Sequence, residues 1–126
     1  MYRLFFTAGA LLAGLAVAAG AATGHETSTF EATARIWLEK AIRYQFLHSL
    51  ALIATALALA LWPGQQTLLL VAGWSFLTGI VFFSGSLYLM AFTTLSAGYF
   101  TPFGGLCFLA GWLAMVIAGI GLTPPR

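Results

Sequence analysis

The stretch RYQFLHSLALIATALALAL, residues 43–61, decides how the chain is read. A charged segment ends at Arg43, and a nearly unbroken apolar run follows. At 1.5 Å per helical residue, such a run is as long as a membrane-crossing helix requires. His48 stands a turn or so inside it, and the chain has only two histidines.

The same reading extends outward in both directions. Of the 126 residues, 61% are hydrophobic and 6% are charged, and the mean hydropathy is +0.97. A soluble domain carries charge on about a quarter of its residues. This chain is an integral membrane protein. Its net charge of +2, from five basic and three acidic residues, leaves no clustered basic footprint for nucleic acid. Cys107 is the only cysteine and lies in an apolar stretch, so it reads as a small buried hydrophobe rather than a disulfide partner.

Four spans are expected, at about residues 4–23, 46–62, 67–93 and 101–122 of a single membrane domain. The first resembles a signal peptide, with Arg3 leading and Ala19, Gly20 and Ala21 near its end. We read it as a retained transmembrane helix. The second stops at WPGQQ and the fourth at TPPR, both turn signals. No stretch shows the alternation of a membrane β-strand. The backbone must then satisfy itself within helices, and the fold class is an all-α, four-helix membrane bundle. Small residues recur in these helices: Ala10, Gly14, Ala18 and Ala22 in the first, Ser75 and Gly79 in the third, Ala114 and Ala118 in the fourth. Such stripes let helices approach closely in lipid, and tight packing within the bundle accounts for them.

Six of the eight charges, Glu26, Glu31, Arg35, Glu39, Lys40 and Arg43, fall between the first two spans. There Phe30, Ala34, Trp37, Leu38, Ala41 and Tyr44 follow helical spacing. Ser28 followed by Glu31 has the pattern of a capping box. The expectation is an amphipathic interfacial helix over about 29–44; the alternative is an extension of the second span into water.

Topology collects polar residues at one membrane face, side X. The candidates for a polar cluster or ligand site are His25, Tyr44, Gln45, His48, Ser84, Ser86, Tyr88 and Thr101. Side Y carries only Arg3, the WPGQQ turn and Arg126. Tyr44 and His48 share a helix face, and a polar side chain in a membrane favours the bundle interior. His48 is therefore expected to face the third or fourth span. Three roles stay open for it: a structural hydrogen-bonded histidine, a contact to a lipid headgroup, quinone or small solute, or a metal or haem ligand together with His25. No CxxCH, HExxH or GxSxG pattern is present. Trp112 sits near mid-span and needs an acceptor, expected to be a serine or carbonyl on the third span. Side X holds Arg35, Lys40 and Arg43, a count that points it toward the cytoplasm. The signal-like first helix points the other way, and orientation stays open.

The motifs YQFLHSLAL, GIVFFSGSLY and TPFGGLCFLAGW, in this order, resemble the YgdD-like family, which is related to transmembrane protein 256. The resemblance runs from about Gly20 to Trp112. Where the family has GAFGAH, this chain has GAATGH: Gly20, Ala21 and His25 fit, while Ala22, Thr23 and Gly24 depart. His25, Trp37, Tyr44, Gln45, His48, Ser84, Gly85, Ser86, Tyr88, Thr101, Pro102, Gly104, Gly105, Gly111 and Trp112 match family motifs. The resemblance implies a small four-span protein of bacterial inner membranes, or alternatively mitochondria, with no established activity.

The function expected on these grounds is a non-enzymatic accessory or scaffold subunit packing against a larger membrane complex or lipid. One alternative is a homo-oligomeric transporter or channel using the polar line Thr78, Ser84 and Ser86. The other is a metal-, haem- or quinone-binding subunit. No cofactor is expected on the leading reading.

Overall fold

A computed structural model describes residues 1–24 and 31–125. Helix α1 (Tyr2–Gly24) is followed by α2 (Ala32–Leu61), a short 3-10 turn (Pro63–Gln65), α3 (Gln66–Gly79), a π-helical segment (Ile80–Ser84), α4 (Gly85–Phe92) and α5 (Phe100–Ile120). The stretch from Pro63 to Phe92 forms one span, so four helical stretches are long and apolar enough to cross a membrane. No strand occurs among the described residues.

The charged segment does not form a helix of its own. From Ala32 it runs without a break into the second span, giving one helix of 30 residues. The reason is local: neither glycine nor proline occurs between Ala32 and Trp62, so nothing interrupts the backbone hydrogen bonds. Thirty residues rise about 45 Å, against about 30 Å of hydrocarbon. The excess is roughly the first ten residues, those that carry Arg35, Glu39 and Lys40. The helix begins with Glu31 as its N-cap, which sets a carboxylate at the positive end of the helix dipole. The expected cap, Ser28, lies outside the described residues.

Helix α2 is the hub of the bundle. Helix α1 lies antiparallel along one side of it: Gly9 faces the Ser49 carbonyl and Ile53, and Gly20 faces Ile42. Phe5 at the start of α1 is fully buried, seated over Gly73 and edge-on to Trp74, with ring centroids 5.4 Å apart.

The third and fourth spans interlock through reciprocal phenylalanine and glycine residues. A Cβ at Gly111 would strike the Phe76 ring, one at Gly79 the Phe108 ring, and one at Gly104 the backbone of Phe83. Read in opposite directions, Phe76–Gly79–Phe83 and Gly111–Phe108–Gly104 have the same spacing and complementary bulk. The Phe76 and Phe108 rings fill the notches at Gly111 and Gly79, and at Gly104 the missing side chain admits the Phe83 backbone itself. The next pair in this register is Ser86 with Thr101, hydroxyl to hydroxyl at 2.6 Å. The π-helical segment spans Phe83, where the two backbones come closest. The side Y ends are tied as well: the Trp62 indole N–H donates to the Thr123 carbonyl, and Gln65 Nε2 donates to Gly121 O at 3.0 Å.

The stripe residues sort differently from the sequence expectation. Gly79, Ala114 and Ala118 are buried, but Ala10, Gly14, Ala18 and Ala22 on α1 all face outward. The α1 residues that meet the bundle are Phe5, Gly9 and Ala16.

The register makes a prediction. In Gly104→Ala the new methyl meets backbone atoms of Phe83, which cannot move aside as a side chain can. Overpacking of this kind costs about 1–3 kcal/mol, more than the up to ~1 kcal/mol that alanine adds to helix propensity. Gly105→Ala, whose Cβ lies 3.9 Å from Phe83 Cδ2, keeps the propensity gain. Thermal unfolding in detergent should rank Gly105→Ala at or above wild type and Gly104→Ala below it. The reverse order would discard the register.

Candidate functional site

The described candidates meet in hydrogen-bonded contacts between helices. Gln45 is buried on α2 and acts as a three-helix node. Its Nε2 donates to Leu12 O of α1 at 2.7 Å, and its Oε1 accepts from the Tyr88 hydroxyl of α4 at 2.8 Å. A carbonyl can only accept, so the amide nitrogen must face Leu12, and the orientation of the Gln45 amide follows. Leu12 stands about halfway along α1.

His48 is 2% exposed. The Trp112 indole N–H donates to its Nε2 at 3.0 Å, and its Nδ1 lies 2.8 Å from Tyr44 O. An indole nitrogen only donates, so Nε2 must be the unprotonated ring nitrogen. Nδ1 then carries the proton and donates to Tyr44 O. His48 is thus a neutral imidazole with both nitrogens engaged. Its ring stacks on Phe108 at 3.6 Å and 9° between planes, with Phe76 at 5.8 Å and Tyr44 at 6.0 Å.

The remaining candidates divide into separate contacts. Ser84 Oγ, in the π-helical segment, donates to Ala41 O on α2 at 2.8 Å. Ser86 and Thr101 bond each other, joining the third and fourth spans. Tyr44 offers its carbonyl to His48, while its ring rests 4.6 Å from Phe83. On α2, Ser49 Oγ donates to Gln45 O at 2.5 Å and Thr55 Oγ1 to Ala51 O at 2.8 Å. His25 lies outside the described residues, so its expected approach to His48 has no geometry here. Trp112 bonds His48, not the serine or carbonyl of the third span expected for it, because the indole and the imidazole both reach in between the helices and meet beside the Phe76 ring. Phe108 and Phe76, which frame the imidazole, were missed by motif reasoning. Their signal was the mirrored phenylalanine and glycine spacing described above.

This geometry limits the chemistry. A metal or haem iron at His48 needs a free nitrogen lone pair, and the only one available receives the Trp112 N–H. A general base at His48 meets the same obstacle. Among the described residues no group of three histidine, cysteine, aspartate or glutamate side chains could hold a metal. Ser84 and Ser86 are engaged inside the chain, so neither hydroxyl lines a free polar path.

The pattern of a protein family described as a protein of unknown function, DUF423, matches residues 16–105. The chain belongs to the DUF423 family. The match covers the last part of α1, all of α2, the third span and the start of α5. The relatives of this DUF423 protein are similar over nearly the whole chain. A UPF0382 membrane protein of Staphylococcus epidermidis is 43% identical over 120 residues, 92% of this chain and 94% of its own. UPF0382 membrane protein YwdK of Bacillus subtilis is 35% identical over 121 residues, 94% and 97%. UPF0382 inner membrane protein YgdD of Escherichia coli is 40% identical over 111 residues, 84% and 81%. No solved structure matches significantly. The family resemblance read from the three motifs is thereby shown, and so is localisation to a bacterial inner membrane as a multi-pass protein. In function this DUF423 protein stands as a small membrane protein of a family without an assigned activity.

A double-mutant cycle tests the central bond. Trp112→Phe keeps the aromatic packing and leaves His48 Nε2 without a donor, and His48→Leu leaves the Trp112 N–H without an acceptor. Pairs of this kind inside membranes couple by about 0.6 kcal/mol and up to about 1.7. Reversible unfolding in mixed micelles should give a coupling in that range. A value of zero would remove the bond, and nitrogen NMR showing the proton on Nε2 would reverse the tautomer.

Proposed function

We propose that the protein is a non-enzymatic accessory or scaffold subunit that packs against a larger membrane complex or lipid. The observation that carries this reading is the contrast between α1's two faces. One packs into the bundle through Phe5, Gly9 and Ala16, whereas the other turns Ala10, Gly14 and Ala18 outward. A helix that only needs to face lipid has no use for small residues there, since lipid tails solvate leucine equally well. A small-residue row instead lets a neighbouring helix backbone approach closely, where dispersion and packing replace the hydrophobic drive. The buried polar side chains support the same reading. Gln45, His48, Ser49, Thr55, Ser84 and Ser86 are bonded within the chain, as suits a rigid body that presents surfaces rather than a reacting centre. Transport, haem and quinone roles have less support, because His48, Ser84 and Ser86, three of the residues invoked for them, are bonded within the chain.

Gly14 offers a clean test, because nothing lies within 4 Å of a Cβ built there. Gly14→Leu should leave the isolated fold intact, yet block a partner helix. Native mass spectrometry of protein gently extracted from its own membrane should show wild type with additional subunits and Gly14→Leu without them, at equal abundance and equal melting temperature. Wild type appearing only as the bare chain would overturn the accessory reading.

A further inference from the structure

At the π-helical segment the third span changes partner. Toward side Y, α3 lies along α5; toward side X, α4 lies along α2 and scarcely touches α5. Tyr88 fastens α4 to α2 through Gln45 at 2.8 Å. The start of α5 therefore stands apart from α4, and two clefts separate them. One, of about 550 Å³, runs from Leu87 and Met90 to Thr101, Pro102 and Gly105. The other, of about 320 Å³, runs from Gly85 and Ser86 to Ala97 and Phe100. Thr101 lines the first and Ser86 the second, so their hydroxyl pair, 2.6 Å apart, is a strut between the two clefts.

We infer that residues 93–103, the connection and the first turn of α5, form a hinged arm at side X. The arm pivots at Gly104–Gly105 and is latched to α4 by the Ser86–Thr101 bond. Bends in long helices fall at π turns and at residues that weaken the helix, glycine among them. Here one of each faces the other. Gly104 rests on the Phe83 backbone of the π-helical segment, which makes that contact a fulcrum, while the nearest atom to a Cβ at Gly105 is the Phe83 ring edge at 3.9 Å. The arm itself is lightly held. Of the connecting residues 93–99, Ala97 alone is buried, and Tyr99, the N-cap of α5, gives no side-chain hydrogen bond to the first turn. Besides the latch, the arm meets the π-helical segment through Phe82, whose ring lies 5.8 Å from Phe100 and 5.0 Å from Phe103. Ring contacts of this kind fix no donor and acceptor, and they let the rings slide. Swinging the arm away from α4 breaks the latch and merges the two clefts into one opening between the third and fourth spans. The Phe76–Gly111 and Gly79–Phe108 contacts lie on the other side of the pivot and stay in place. Hinges of this sort are a few element-terminal residues that absorb the backbone change.

Distances between spin labels test the arm, with the full chain reconstituted alone in nanodiscs and Cys107 replaced by serine. Labels at Leu11→Cys and Tyr99→Cys report on the arm, and labels at Leu11→Cys and Leu113→Cys report on the body of α5; all three side chains are exposed. Thr101→Val keeps the shape of the threonine and removes the latch. It should raise the ratio of displaced to latched distances at Tyr99 about threefold, the weight of an average hydrogen bond inside a membrane. Gly105→Ala should lower that ratio, and the Leu11–Leu113 distribution should stay the same in every variant. A Tyr99 distribution unchanged by Thr101→Val overturns the latch, and one unchanged by Gly105→Ala overturns the pivot. A Leu113 distribution that broadens together with Tyr99 overturns the arm, since the whole bundle has then loosened. No partner subunit enters these readouts, so the accessory reading stands or falls separately.

Discussion

Everything in this bundle depends on one constraint: a polar side chain inside hydrocarbon must find its partner within the protein. Helix α2 brings most of the buried polar groups, and bonds to it come from each of the other spans. The Leu12 carbonyl of α1 takes the Gln45 amide, the Tyr88 hydroxyl of α4 takes its oxygen, and Ser84 of the π-helical segment reaches the Ala41 carbonyl. Trp112 of α5 closes the set at His48. A hydrogen bond within a membrane is worth only about a kilocalorie, so these bonds do not drive assembly alone. They select among packings, since a helix slid by one turn leaves several groups unpaired at once.

Packing supplies the complementary constraint. The mirrored order of phenylalanine and glycine on the third and fourth spans admits one antiparallel register, because shifting it sets ring on ring and notch on notch. The two constraints meet at Phe108. Its edge fills the notch at Gly79, and its face carries the His48 ring at 3.6 Å. The imidazole is therefore held in plane by stacking and in rotation by two hydrogen bonds. Conservative replacement of His48 by another aromatic residue would keep the first and lose the second.

The class of fold was legible because hydropathy and span length report directly on solvent. That His48 and Gln45 turn inward was legible too, since the cost of facing lipid leaves a polar residue few other choices. The length of the second helix was not: an apolar run marks where charges stop, while α2 begins eleven residues before Arg43 and continues unbroken into the span. The partner of Trp112 was hidden for a different reason. It depends on which helices are neighbours across the bundle, and no spacing along one helix records that. The outward turn of Ala10, Gly14 and Ala18 was hidden because small residues look alike on either face, and only Phe5 and Gly9, locked against Gly73 and Ser49, determine which face of α1 is inside.

Function in such a chain has to be sought in what the fold leaves open. Gln45, His48, Ser49, Thr55, Ser84 and Ser86, the buried polar residues among those described, are already bonded, so they have little left with which to react or to coordinate. What remains is surface. The outward row of α1 has small residues and no charge, a shape that suits a close helical neighbour. Gln45 ties α2 to both α1 and α4, so that row is carried by a body whose helices are fixed to one another rather than by a helix free to turn.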